Sequence, residues 1–189
     1  GKFILSTDRH NYDSNDTIAP ICNGIIFDYH TLLPLCIPPN ATISQYKSSE
    51  VNSHIISDHY DIFKLVDGSM ISLYWCPYNK KWEMSSSHGL DIANIRFNTK
   101  TYGEILNDVV NQIQFKKTGN PLLDFDPHKG APFYRCLDKS KSYTFSITHP
   151  DLHPFQTRIG LTSICAIETK NWPNIKYDWE PDEFKNLIK

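Results

Sequence analysis

Apolar residues along this chain fall in short β-type runs broken by turn residues: Phe3 to Ser6, Ile21 to Tyr29, Leu32 to Ile37, Tyr60 to Val66, Met70 to Trp75, Lys81 to Ser85, Ser142 to Thr148 and Leu161 to Glu168. Asp67-Gly68-Ser69 lies between two of these runs, and Pro77-Tyr78-Asn79-Lys80 joins the next pair. Both have the residue types that hairpin turns require, so the runs predict an antiparallel meander. One helix interrupts them. Tyr102, Ile105, Leu106, Val109, Val110 and Ile113 recur at helical spacing, and Thr101 with Glu104 has the form of a capping box at its start. Lys116 to Pro132 is dense in Gly, Pro and Asp and predicts a long surface loop, while Asp8 to Asp16 is polar and irregular. This order fits an α+β domain with twisted antiparallel sheets and few packing helices, rather than alternating βαβ units.

A length of 189 residues suits a single domain, and 40% hydrophobic with 21% charged residues is an ordinary globular composition. The last stretch, 170–189, reads as a tail. A formal net charge of −2 removes the strongly basic field of a protein that coats nucleic acid, so any nucleic-acid site must be local. Cys22, Cys36, Cys76, Cys136 and Cys165 lack the paired spacing of zinc or redox motifs. Buried free thiols in a reducing compartment are the preferred reading, and no metal-ligand set is predicted. No run is long and apolar enough to span a membrane, and the start does not read as a signal peptide. Without an initiator Met, the chain is expected to be trimmed or a fragment.

Several segments, taken in order, carry more specific information. Cys22-Asn23-Gly24-Ile25-Ile26-Phe27 is followed by Leu33-Pro34-Leu35-Cys36-Ile37-Pro38, then by Lys64-Leu65-Val66-Asp67-Gly68-Ser69 and its apolar strand ending in Tyr74-Trp75. Lys80-Lys81-Trp82-Glu83-Met84-Ser85-Ser86-Ser87-His88-Gly89 comes next, and Tyr143-Thr144-Phe145-Ser146-Ile147-Thr148 after it. From about Ile21 to Thr169 this set resembles the adenylation domain of phage and viral RNA ligases, in the covalent nucleotidyltransferase superfamily. The resemblance implies the nucleotidyltransferase fold, ATP and Mg²⁺ as reactants, and RNA ends as substrate. In that chemistry a lysine amine, normally protonated up to a pKa of about 10.4, must lose its proton to attack the α-phosphate. Mg²⁺ and basic groups then stabilise the transferring phosphate.

Carried onto this sequence, the family's attachment lysine falls on Leu65, because the spacing here is Lys-x-x-Asp-Gly and not Lys-x-Asp-Gly. Lys64 is the only plausible nucleophile, and strand alternation points it to the opposite face unless a bulge intervenes. Asp67 is implied to act with Lys64 in catalysis. Asn23, Gly68, Ser69, Lys81, His88, Gly89 and His149 are the implied nucleotide contacts, with Lys81 on a phosphate. Asn23 stands where the family has an arginine and Thr148 where it has a glutamate. The family's closing Glu-Gly and Lys-x-Lys strands have no counterpart after Thr169. These departures favour a domain that keeps the scaffold without the covalent step, as a binding or structural component of a protein assembly. The alternative is an active ATP-dependent RNA ligase using the shifted lysine.

Weaker signals remain open. His149-Pro150-Asp151-Leu152-His153 could ligate a metal or act as acid and base, but its proline argues for a turn in which the histidines bond the backbone. His88-Gly89 could face the nucleotide or simply end a hairpin. Tyr74, Trp75, Tyr78 and Trp82 could stack on bases, although cross-strand packing is the preferred reading. Lys80, Lys81, Lys116, Lys117, Lys139 and Lys141 could contact phosphates or be ordinary surface lysines. The Tyr-Trp and Tyr-Thr-Phe segments resemble ligase-like proteins of large DNA viruses. That implies an intracellular setting, cytoplasmic or nuclear, and the infected-cell cytoplasm or the virion if the chain is viral.

Overall fold

A computed structural model describes residues 1–7, 22–39, 67–118, 137–153, 155 and 157–182. Lys64 and the strand run expected before Asp67 lie outside the described residues, as do Cys136 and most of the expected 116–132 loop.

The main sheet is antiparallel with order β10-β9-β8-β4-β5, built from β4 (Ser69–Cys76), β5 (Lys81–Ser85), β8 (Lys141–Thr148), β9 (Gly160–Glu168) and β10 (Tyr177–Asp178). The Pro77-to-Lys80 turn closes the β4–β5 hairpin as its residue types predict, with Lys80 at a φ of 50°. The expected meander is divided. β8, β9 and β10 follow one another, but β4 reaches β8 across a long stretch of chain, pairing Ser69 with Ile147 and Leu73 with Tyr143. Tyr177–Asp178, within the stretch read as a tail, supplies the edge strand against β9.

Alternation along β4 and β8 divides the sheet into an apolar and a hydroxyl-bearing face. Ile71, Leu73, Tyr143, Phe145 and Ile147 pack on Ile105, Leu106, Val109 and Val110 of α1 (Tyr102–Thr118). The helix starts where its capping box predicts: Thr101 N donates to Glu104 Oε2 at 2.7 Å, and Glu104 N to Thr101 Oγ1 at 3.2 Å. It continues through Lys116 and Lys117, beyond the point where the sequence pattern predicts the loop to begin. A small ribbon, β6 (Arg96–Phe97) with β7 (Lys100–Thr101), leads into it.

The other face carries Ser72, Tyr74, Ser142, Thr144 and Ser146, all buried. A three-stranded sheet, β1 (Lys2–Ile4), β2 (Ile26–Asp28) and β3 (Pro34–Cys36), covers part of it, with Ile26 and Cys36 against Tyr74 and Cys76. Pairing offsets the burial of all these hydroxyls but that of Ser146, whose Oγ has no partner among the described residues. Ser72 and Thr144 share a hydrogen bond of 2.9 Å, and Ser142 Oγ donates to the Ile37 carbonyl at 2.9 Å while accepting from Ile37 N at 3.1 Å. The described residues are therefore mostly antiparallel sheet with one long helix, an α+β arrangement of small sheet, large sheet and helix. No helix among them is long and apolar enough to cross a membrane.

Candidate functional site

One end of the main sheet gathers most of the residues singled out from sequence. The register places the start of β4, the end of β5, the end of β8 and the start of β9 together there. Gly68 enters β4 against β8 so closely that a Cβ would lie 2.8 Å from the Ile147 carbonyl oxygen, and nearer still to Ser146 Oγ. Asp67 beside it is exposed. Ser69 points the other way, toward the helix side, and shares a 3.3 Å hydrogen bond with His153 Nε2.

Asn23 and His88 are tied to neighbouring residues, Thr7 and Ser6, at the same end from different elements. Gly24, at a φ of +89°, brings its backbone against Pro38 and Ser87, where a Cβ would lie 3.1 Å from Pro38 Cγ and 3.2 Å from Ser87 Cα. A side chain is excluded by both the conformation and the space. Asn23 is buried and its Oδ1 accepts from Thr7 N at 3.3 Å. Ser6 Oγ hydrogen-bonds His88 Nδ1, so the chain after β1 ties to the turn after β5. Gly89 completes that turn, its carbonyl accepting from Ser86 N at 3.0 Å.

Two predicted contacts stand apart. Lys81 begins β5 opposite Cys76, at the far end of the hairpin from Ser85. Four residue steps of extended chain separate it from that end, about 13 Å. His149 follows β8 at the correct end but faces the helix. Its Nε2 is 3.7 Å from Asp108 Oδ2 and its Nδ1 3.4 Å from Asp151 Oδ2, and Nδ1 accepts from Asp151 N at 3.1 Å. Lys100 bonds Asp108 and stands 3.8 Å from Asp151. The imidazole thus pins the turn after β8 to α1, and the amides of Leu152 and His153 close on the His149 carbonyl at 3.0 Å each. That is the turn reading of the histidine cluster, with carboxylates added. Among the described residues no set of three His, Cys, Asp or Glu side chains is placed to hold a metal.

The most strongly coupled polar group was not apparent from sequence. Glu83 is buried in β5, where Oε1 accepts from Asn79 Nδ2 at 2.6 Å and Oε2 from the Tyr74 hydroxyl at 2.8 Å and from Lys2. Lys2 Nζ also bonds the Tyr74 oxygen at 3.0 Å. Burial is the largest influence on Lys2 and lowers its pKa below the ordinary lysine value. The same burial pushes the Tyr74 hydroxyl far above its usual range. Tyr74 is thereby a buried structural tyrosine and not a stacking surface. Trp75 lies across from Trp82 with ring centroids 5.9 Å apart, the cross-strand packing expected, while Lys139 stands 3.8 Å from the Trp75 ring centre. Alternation could have placed Tyr74 and Glu83 on one face, but nothing local in sequence brings Lys2 to them.

No protein-family model matches the chain. It is 25% identical over 180 residues to a protein named "Putative RNA-ligase" from a Malawi tick isolate of African swine fever virus, covering 93% of this chain and 39% of that protein. A protein of the same name from a Kenyan pig isolate is 26% identical over 158 residues, covering 81% of this chain and 34% of its own length. Its namesake in the Badajoz strain is 26% identical over 180 residues, covering 93% and 39%. The chain spans about two fifths or less of the curated viral relatives it matches.

Proposed function

We propose that this chain is an RNA-ligase-like domain of viral type, on the nucleotidyltransferase scaffold, that has lost the covalent adenylylation step and serves as a binding or structural component inside the infected cell. Similarity to the viral proteins over 93% of the chain supports the ligase-like part. The observation that carries the loss is in the sequence, where Leu65 stands at the attachment position before Asp67-Gly68. Among the described residues, the predicted ones gathered at the sheet end contribute the Asn23 amide, the His88 imidazole and the Asp67 carboxylate. Thr148 ends β8 where a carboxylate is expected. Were the covalent step retained, Asp67 would hold Mg²⁺ together with the phosphates of ATP, an arrangement that needs only one or two carboxylates, and without that step no cofactor is called for. When bound, that ion would neutralise charge on the transferring phosphate. RNA ends or a protein assembly are the partners this reading favours.

The second reading, an active ligase acting through Lys64, rests on that residue's place just before Asp67 in sequence. The two separate in an adenylylation assay with α-labelled ATP and Mg²⁺. Loss of the covalent step predicts no labelled protein. Label that appears in the native chain and disappears in Lys64→Ala overturns it and establishes the ligase. Thermal melting with ATP and Mg²⁺ reports binding separately, since ligand at about a hundred times its dissociation constant adds about 2.7 kcal/mol.

A further inference from the structure

β5 is an edge strand of the main sheet, and its outer side is paired only at one end. Ile92 N donates to the Met84 carbonyl at 2.9 Å, so the Met84 peptide groups point out of the sheet, away from β4. In an antiparallel ladder this direction repeats at every second residue, so the N–H and C=O of Trp82 point outward as well. Among the described residues neither has a backbone partner. The chain itself begins to add a strand at Ile92 and then leaves. Ile95 N donates to the Ile92 carbonyl and Gly103 N to the Ala93 carbonyl, each at 2.9 Å, which draws this segment off toward the start of α1.

A cavity of about 290 Å³ opens between β5, residues 91–94 and the first turns of α1. Its apolar lining comes from Leu73, Trp82, Met84 and Ala93, and it has room for one large side chain. Charges of both signs surround it. Lys81 and Asp91 line it, Glu104 lies under the influence of Arg96 and Lys100, and Glu83 is paired with Lys2. No ligand of a single charge is favoured there. Outward peptide groups beside an apolar hollow call for a partner that brings both a backbone and an apolar side chain. In an antiparallel pair, the residue opposite Trp82 exchanges both main-chain hydrogen bonds with it and sends its side chain to the same face. That face is the helix side, where Trp82 and Met84 pack.

We propose that the Trp82 edge of β5 is a docking site for an extended, uncharged segment of a partner protein, which adds a short antiparallel strand and seats one aromatic side chain in the cavity. The site goes beyond the ligase reading. Adenylylation of the chain, or its absence, leaves this edge as it is, so either proposal can fail without the other.

Calorimetric titration of the intact chain with a capped pentapeptide, a central phenylalanine flanked by valines with serines at the ends, tests it. Replacing the phenylalanine by alanine should weaken binding about tenfold or more. Methylating the phenylalanine nitrogen, which removes the donor to the Trp82 carbonyl, should weaken it about tenfold. Methylating the nitrogen of the next valine, whose N–H points away from β5, should leave binding unchanged. The bound peptide should also slow hydrogen exchange at the Trp82 amide. Ala93→Leu, which fills the cavity, should weaken binding about tenfold. The peptide variants leave the protein untouched, so they decide the matter even where that substitution disturbs the fold. No binding at millimolar concentration, equal loss from the two methylated peptides, or a Trp82 amide that stays unprotected overturns the proposal. So does a chain that dimerises through this edge and thereby excludes the peptide.

Discussion

A methyl group on Gly68 has nowhere to go: 2.8 Å from the Ile147 carbonyl oxygen, it would press on Ser146 Oγ as well. Backbone cannot yield there without opening the β4–β8 ladder, so Gly68→Ala should lose about 1–3 kcal/mol in denaturant unfolding. Ser146 behaves oppositely. Its hydroxyl is buried without a hydrogen-bond partner among the described residues, so Ser146→Ala should raise stability by about 1 kcal/mol. Because Oγ is the nearest obstruction to the new methyl, the double variant should be more stable than the sum of the two single effects. Strict additivity would show that the two positions do not touch. The Asp-Gly pair was visible in sequence as a turn and a ligase-like motif. Its steric reason was not, because the obstructing residues arrive from a strand nearly eighty positions later.

Asp28 shows how one carboxylate can hold two elements. Its Oδ1 accepts from the amides of His30 at 2.7 Å and Thr31 at 2.9 Å, which shapes the β2–β3 turn, and its Oδ2 accepts from Tyr78 in the β4–β5 turn. The Tyr78 hydroxyl first, then the Thr31 and His30 amides, hold the carboxyl down at about 2 from an ordinary 3.8. A depressed folded value means the stabilisation is complete above the unfolded value and is lost as pH falls through the folded one. The stability difference between native protein and Asp28→Asn should therefore be constant above about pH 4 and shrink toward pH 2. Melting curves across that interval check it, and a constant difference would remove the clasp. At this scale the sequence was most readable in α1, β4, β5, β8 and β9. Their patterns are long enough to show period and caps. β1 to β3 are only three residues each, too short for alternation to fix their ends, and among its described residues the run expected over Ile21 to Tyr29 yields a strand at Ile26–Asp28.

Across the whole molecule, the small sheet and the large sheet are joined by a charge as well as by apolar packing. Lys2 Nζ, with its side chain 19% exposed, pairs with a Glu83 side chain only 1% exposed. Removing the cation alone leaves a buried carboxylate with, among the described residues, Tyr74 and Asn79 as its side-chain donors. Lys2→Met should cost about 2–3 kcal/mol, and adding Glu83→Gln should recover part of that loss because the unpaired charge goes with it. A double-mutant cycle in denaturant measures the coupling, and zero coupling would mean that the pair does not link the sheets.

Hydrophobic alternation, the helical stripe from Tyr102 to Ile113 and the Thr101–Glu104 capping box determined by themselves that the described residues make antiparallel strands covered by a helix. Those features are local, decided by backbone geometry within a few residues. The ordered ligase-like segments likewise singled out Gly68, Asn23 and His88 as expected nucleotide contacts, and the structure brings them to one sheet end. Only the tertiary structure decided that Lys81 lies at the far end of its hairpin, that His149 faces α1 and not the small sheet, and that Lys2 closes on Glu83. Each of these depends on strand register and on the pairing of β4 with β8, contacts between residues distant in sequence that no local pattern encodes.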